Sequence, residues 1–249
     1  FFLGLVIIAP YIFKSKFKVY KTRNFKVHLI RSSLNLPAML LGFAALTIVP
    51  FEKISALHFI VPFIVTILAV IFLKEKIRLY RISALFIGLL GMLIILRPGI
   101  IDVSIGIQMT ILSSFIWAVV MIITKKLTKN DSAITILTYQ YTFMTFLSFI
   151  VVLFFWNTPS LSSLLYIFLA ACSGTIVHIA LNHALKLVDV SMTQPFSFFG
   201  LIIASLYGFF LFDEKPDLFT WIGALIIFIG IAIITYREIK LKKIGSQIA

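Results

Sequence analysis

The sequence predicts an all-α fold: a polytopic membrane helical bundle built from two inverted five-helix repeats. Three observations carry this. Hydrophobic residues make up 61% of the chain and charged residues 12%, with a mean hydropathy of +1.11, whereas a soluble globule carries about 25% charged residues. The apolar residues gather in successive runs of about 17–25, helix-length for a hydrocarbon core roughly 30 Å thick, and the alternating ten-residue strands of a membrane barrel are missing. Finally, a shift of 139 positions lays the stretch 34–97 on the C-terminal part without a gap. Glu75 and Lys76 fall on Glu214 and Lys215, Leu79 on Leu218 and Gly91 on Gly230. Isoleucine matches alone are cheap in so apolar a chain, but a repeated Glu-Lys pair and an in-frame glycine are not.

In chain order, residues 1–13 read as the end of a span and 14–31 as a basic connection. Further spans are expected at 32–49, 54–73, 82–97, 104–124, 133–155, 161–185, 190–212 and 218–236. The connections are short, which makes consecutive helices antiparallel and leaves no room for a soluble domain. The second repeat, 102–249, holds five spans and ends in a tail; the first, 1–101, shows three and a fragment. A further span is therefore expected before Phe1, giving ten helices with the first absent from this chain. The opening FFLGLVIIAP has no basic n-region and does not read as an intact signal peptide. Halves of five helices are inverted because five is odd, a construction shared by many secondary transporters.

The formal net charge of +13 is carried by the connections. One set of alternate loops holds nineteen of the Lys and Arg residues, including Lys14 to Arg31, Lys74 to Arg81, Lys125 to Lys129, Lys186 and Arg237 to Lys243; the other holds Lys53, Arg97 and Lys215. This asymmetry predicts a cytoplasmic C-terminus in an inner (plasma) membrane. It also explains the positive charge without a nucleic-acid partner, which would need a basic patch on a folded surface. Cys172 is the single cysteine, so no internal disulfide is expected.

Ten spans in two halves, short loops and a proline-then-glutamate pattern in the fourth span of each half resemble the EamA family of the drug/metabolite transporter superfamily. The residues that carry the resemblance are Pro62 to Phe72, Leu73 and Glu75, then Pro195 to Phe210, Leu211, Phe212 and Glu214, with Gly88, Gly91, Gly223 and Gly230 in the helices that follow. Within the family, the wording of 187–217 looks most like the S-adenosylmethionine uptake transporters of obligate intracellular bacteria. The resemblance implies carriage of a small metabolite across a bilayer, with S-adenosylmethionine uptake by exchange with S-adenosylhomocysteine or a related metabolite as the expected activity. Export of amino acids, nucleosides or drugs is the alternative within the superfamily. A non-transporting membrane assembly protein is the remoter one, and would be expected to lack polar residues within its spans.

Polar, aromatic and helix-breaking residues inside spans are the candidates for substrate contact, because each is costly in lipid. Asn35 stands near Pro37, and His58 lies one turn from Pro62, each equally at home in helix packing or at an interface. His178, Asn182 and His183 form the densest cluster, with His178 and Asn182 sharing a face. No carboxylate or thiolate stands at a ligand spacing from these histidines, so no metal and no cofactor is expected. Gln194 and Pro195 open the ninth span, and Pro62 and Pro195 are the expected helix breakers. Trp117, Tyr139, Gln140 and Tyr141 offer aromatic faces and an amide. If the cargo is S-adenosylmethionine, such groups meet its adenine, its sulfonium and its amino acid end.

All nine acidic residues fall at span ends or in loops, which favours exchange over proton coupling. Glu75 and Glu214 read as anchors of their helix ends. An enzyme would need a nucleophile with a base, or a histidine with a near carboxylate; His183 and Asp189 stand six apart and do not make one. The expected partners are thus a small-molecule substrate and the lipid bilayer, with no nucleic acid, and a monomer or weak homodimer.

Overall fold

In a computed structural model the described residues are 1–49, 54, 57–96, 104–156, 158–212 and 217–248, and among them the regular structure is helical, with no strand. The helices are α1 (Phe2–Lys14), α2 (Phe25–Leu46), α3 (Val61–Leu73), α4 (Leu79–Leu96), α5 (Ile105–Leu127), α6 (Ala133–Val152), α7 (Leu161–Leu187), the short α8 (Val190–Thr193), α9 (Phe199–Phe212) and α10 (Leu218–Ile248). Glu214 and Lys215, on which the 139-residue shift lays Glu75 and Lys76, lie outside the described residues, as do Glu52, Lys53, Arg97, Asp102 and Asp213.

Five of these helices contain a stretch long and apolar enough to cross a bilayer: α2, α5, α6, α7 and the Leu218–Arg237 part of α10. The burial pattern agrees with a lipid surrounding, since only 6% of the best apolar window of α7 is buried although its mean hydropathy is 2.1. Such a helix is stable in hydrocarbon because all its backbone groups bond within the segment. The chain is a multi-pass integral membrane protein.

Two expected boundaries move. Helix α2 begins at Phe25 and not near residue 32, so most of the basic run 26–31 is helical. In the expected span 54–73 the 13-residue helix α3 follows a turn at Phe59 and Ile60. Pro62, expected to break a helix, sits in the first turn of α3, where a missing backbone N–H costs nothing. At the other end Lys74 is left-handed, at φ 56°. The Lys74 and Glu75 N–H groups turn back to the Val70 and Ala69 carbonyls, closing α3 with a left-handed cap. In the frame of the 139-residue shift, α3 falls on α9 within one residue at its start, and the first residue of α4 on that of α10.

The chain forms two compact units, each built from two separate stretches of the sequence: unit 1 is Phe1–Leu40 with Val119–Val188, and unit 2 is Leu41–Ala118 with Asp189–Ala249. Unit 1 packs α1 against α6 around Ile8, Ile12, Val19, Leu137 and Tyr141.

Unit 2 is held by α4 and α10 and by a core of Leu85, Met92, Phe198, Leu201 and Ile227. Glu75 stands in for an N-cap there. Its carboxylate accepts from the Val190 and Ser191 backbone N–H groups at 2.8 and 3.0 Å and from Ser191 Oγ at 2.7 Å. Asp189, the residue at the cap position, is engaged instead by Arg81 Nη1 at 2.9 Å. Unpaired amides at a helix start are thereby satisfied by a side chain from elsewhere in the unit.

The α4–α10 contact is set by two glycines. A Cβ on Gly91 would stand 2.7 Å from the Gly223 carbonyl oxygen, and one on Gly223 would stand 2.6 Å from the Gly91 carbonyl oxygen. Backbone on both sides cannot rotate away. A methyl at Gly200 in α9 would meet nothing within 4 Å. Gly91→Ala and Gly223→Ala should each destabilise the protein by about 1–3 kcal/mol through overpacking, outweighing the gain of up to about 1 kcal/mol in helix propensity. Gly200→Ala should be neutral or stabilising. Melting of the detergent-purified variants checks this, and equal melting temperatures for Gly91→Ala and Gly200→Ala would contradict it.

Candidate functional site

In unit 1 the early start of α2 places His28, Arg31, Ser32 and Asn35 at i, i+3, i+4 and i+7, all on one face and all buried. This is the periodicity of an apolar stripe, written in polar residues. Facing groups come from α5, α6 and the turn between them: Thr124, Asp131, Thr138 and Gln140, each buried.

Asp131 is the first centre of the cluster. It is 6% exposed, and its Oδ2 accepts from Thr22 Oγ1 and Asn24 Nδ2 and pairs with His28 Nε2, each at 3.1 Å. The His28 ring stacks on Tyr139 with centroids 4.5 Å apart. The Tyr139 hydroxyl donates to the Tyr20 carbonyl at 2.7 Å. One loop carboxylate thereby ties residues 20–24 and the start of α2 to the α5–α6 turn.

Arg31, one turn deeper, is the second centre and is 3% exposed. Its Nε donates to Thr124 Oγ1 at 2.6 Å and its Nη2 to Gln140 Oε1 at 3.0 Å. Thr124 spends its own hydroxyl proton on the Val120 carbonyl, so it faces Arg31 as an acceptor. Arg31 Nη1, Gln140 Nε2 and Ser32 Oγ are buried without a partner.

A third group lies on α6 and α7. Tyr141 donates to Thr175 Oγ1 at 2.9 Å, since the Thr175 proton goes to the Ala171 carbonyl. The Tyr141 and His178 rings meet edge to face at 6.4 Å. Asn182 is fully buried; its Nδ2 donates to the Ala133 carbonyl at 3.4 Å and its Oδ1 is unpartnered.

The sequence candidates therefore divide. Gln140, Tyr141, Asn182 and Asn35 are buried in unit 1 and His178 is half-buried, whereas Tyr139 is taken up in holding His28. His183 is exposed, so the sharing of a face ends at His178 and Asn182. In unit 2, Trp117 is half-buried and His58 is exposed, with its Nδ1 3.4 Å from Ser114 Oγ. Gln194 and Pro195 do not open the ninth span. They interrupt it, as a 3-10 segment at Gln194–Phe198 between α8 and α9. The Gln194 amide is spent locally on the Val190 carbonyl at 3.1 Å and Thr193 Oγ1 at 3.0 Å. An open groove in unit 2 of about 400 Å³, lined by Phe59, Ile60, Phe63, Phe86, Leu89 and Met92, offers only apolar side chains and suits lipid better than a polar solute. Among the described residues no three His, Cys, Asp or Glu side chains come together as a metal site.

Sequence reasoning missed His28, Arg31 and Asp131 because it gave them to basic loops. The signal was present in the spacing 28, 31, 32, 35. Arg31, and Arg81 in unit 2, are buried and do not belong among the solvated loop charges.

Residues 1–97 and 104–236 match the model of the EamA-like transporter family. The chain is 31% identical over 240 residues to the S-adenosylmethionine uptake transporter of Rickettsia felis, covering 96% of this chain and 82% of that protein. It is 30% identical over the same coverage to that of Rickettsia prowazekii. It is 29% identical over 250 residues to the riboflavin transporter of Vibrio cholerae, covering 99% of this chain and 84% of that protein. A solved crystal structure shares the fold, with a TM-score of 0.80 over 94% of this chain and 85% of that one, at 16% identity.

Asp131→Ala removes the shared acceptor and strands the buried His28 ring together with the half-buried Thr22 and Asn24. It should lower stability by about 1–3 kcal/mol for each donor left unpaired, read as a lower melting temperature in detergent. An unchanged melting temperature would show that the carboxylate does not hold the cluster.

Proposed function

The chain belongs to the EamA-like transporter family, and on that premise we propose that it takes up S-adenosylmethionine by exchange with S-adenosylhomocysteine or a related metabolite. It is a membrane transporter of small metabolites and not an enzyme. The observation that carries the particular reading is the buried polar cluster of unit 1. Unpaired polar groups at membrane depth are costly, and a transported solute is the partner that such groups are kept for.

The cargo has an adenine ring, a sulfonium and an amino acid end. Tyr141 and His178 offer ring faces, and Arg31, Gln140 and Asn182 offer hydrogen-bonding groups whose partners are incomplete. Asn35, buried on the same face of α2 as Arg31, extends the substrate path within unit 1 in this reading. The likeness to the Rickettsia proteins supports the cargo. The likeness to the Vibrio protein makes riboflavin the competing one, alongside export of amino acids, nucleosides or drugs.

Exchange is supported by the state of Asp131, the one acidic residue in the sequence of unit 1. It accepts from Thr22 and Asn24 and pairs with His28, and a carboxylate so engaged is poorly placed to load and release a proton in each cycle. The proposed frame is two inverted halves, 1–101 and 102–249, in an inner membrane with the C-terminus cytoplasmic. The agreement of helix boundaries under the 139-residue shift and the asymmetry of loop charge support it.

Cells that do not import S-adenosylmethionine should accumulate the labelled compound when they express the protein. Unlabelled S-adenosylhomocysteine should compete and riboflavin should not. Gln140→Ala with Asn182→Ala should reduce uptake at least about tenfold, as expected for the loss of two buried hydrogen-bonding groups. Uptake equal to that of control cells, or a double variant with full activity at normal expression, would overturn the assignment.

A further inference from the structure

We propose that the Arg31 guanidinium is the anchor for a carboxylate of the cargo, which restricts the cargo to small metabolites that bear one, as an amino acid end does. The inference deepens the transport reading above and rests on it. Arg31 is buried within a helix long and apolar enough to cross a membrane. A charge in that position is kept only if something compensates it.

Nothing inside unit 1 does so. Among the described residues no carboxylate stands within ion-pair distance of Arg31; the ion pairs found are His28 with Asp131 and Arg81 with Asp189. Asp131, the one acid in the sequence of the unit, is already drawn to Thr22, Asn24 and His28. Thr124 and Gln140 offer Arg31 neutral oxygens only.

The groups left over define the missing partner. A guanidinium has donors alone, so the Gln140 amide must turn its oxygen to Arg31, and this fixes its NH2 as the end left unpaired. Arg31 Nη1 and Gln140 Nε2 are thus two buried donors on one hydrogen-bonded pair. The partner they lack is an acceptor, and beside a cation an anionic one. Water would satisfy the donors but leave the charge. A carboxylate does both, through the fork geometry in which arginine pairs best. A cargo with an amino acid end meets this requirement. Riboflavin, which has no carboxylate, does not.

The test uses the full chain purified in lipid nanodiscs, with affinities read from thermal stabilisation. The probes are S-adenosylhomocysteine, methionine, 5′-methylthioadenosine (the same nucleoside thioether without the amino acid arm), riboflavin and inorganic phosphate. The wild-type protein should bind S-adenosylhomocysteine on the order of 10–100-fold more tightly than methylthioadenosine, the range for a hydrogen bond to a charged group. Arg31→Gln should abolish that preference and leave methylthioadenosine within about threefold. Arg31→Lys should keep part of it. Gln140→Glu, which supplies a counterion from inside, should abolish it even if Arg31→Gln does not fold. Equal wild-type affinity for the two nucleosides, a preference that survives in Gln140→Glu, or phosphate binding as tightly as the carboxylates would overturn the anchor while leaving S-adenosylmethionine transport standing. Methionine binding that depends on Arg31, without binding of S-adenosylhomocysteine, would overturn the cargo and keep the anchor. Binding of riboflavin alone, or of no carboxylate, would overturn both.

Discussion

A charge buried among membrane helices has to be answered from within the protein or by what the protein carries, and the arrangement of unit 1 follows from that constraint. Asp131 answers three groups at once and fixes the start of α2 against the α5–α6 turn. With α2 so placed, Arg31 points to Thr124 and Gln140, and its charge is left without a counterion among the described residues. A soluble protein would hydrate such a group. Here the surrounding helices present apolar side chains outward, as α7 does along most of its length.

Unit 2 solves its own version of the same problem internally, with Arg81 paired to Asp189. Gly91 and Gly223 bring the α4 and α10 backbones into contact, and without a hydrophobic drive between helices in lipid such close packing is what holds them. At the 3-10 segment that begins at Gln194, the Gln194 amide donates to the Val190 carbonyl. Glu75 satisfies the amides at Val190 and Ser191. These are structural solutions, and they leave few polar atoms over. Among the described residues the unpaired buried side-chain atoms lie in unit 1, on His28, Arg31, Ser32, Gln140, Thr145 and Asn182.

Much of the fold was legible in the sequence because hydropathy acts on whole segments. The spans expected at 104–124, 133–155 and 161–185 lie within three residues of α5, α6 and α7 at each boundary. The boundaries that moved did so for local reasons: a turn at Phe59 and Ile60 precedes α3, and the basic residues before 32 wind into α2. The site was only half legible. Gln140, Tyr141, His178 and Asn182 are polar or aromatic inside apolar runs and were visible on that ground. Arg31 was hidden because a positive charge near a span end has two physical meanings, a topology determinant in solvent or a buried binding group, and composition does not separate them. The spacing 28, 31, 32, 35 does, once the helix is known to begin at Phe25. Gln194 and His183 fit the same search and were misplaced by it: one side chain turns to its own backbone, and the other faces outward.

The central claim is that a carboxylate-bearing cargo completes the Arg31 cluster and is carried by exchange. Counterflow in proteoliposomes made with the full chain tests it most directly. Vesicles preloaded with S-adenosylhomocysteine should take up labelled S-adenosylmethionine faster than empty vesicles, and preloading with 5′-methylthioadenosine or riboflavin should not accelerate entry. Entry that ignores the internal solute, or that methylthioadenosine accelerates as well as S-adenosylhomocysteine does, would contradict the account.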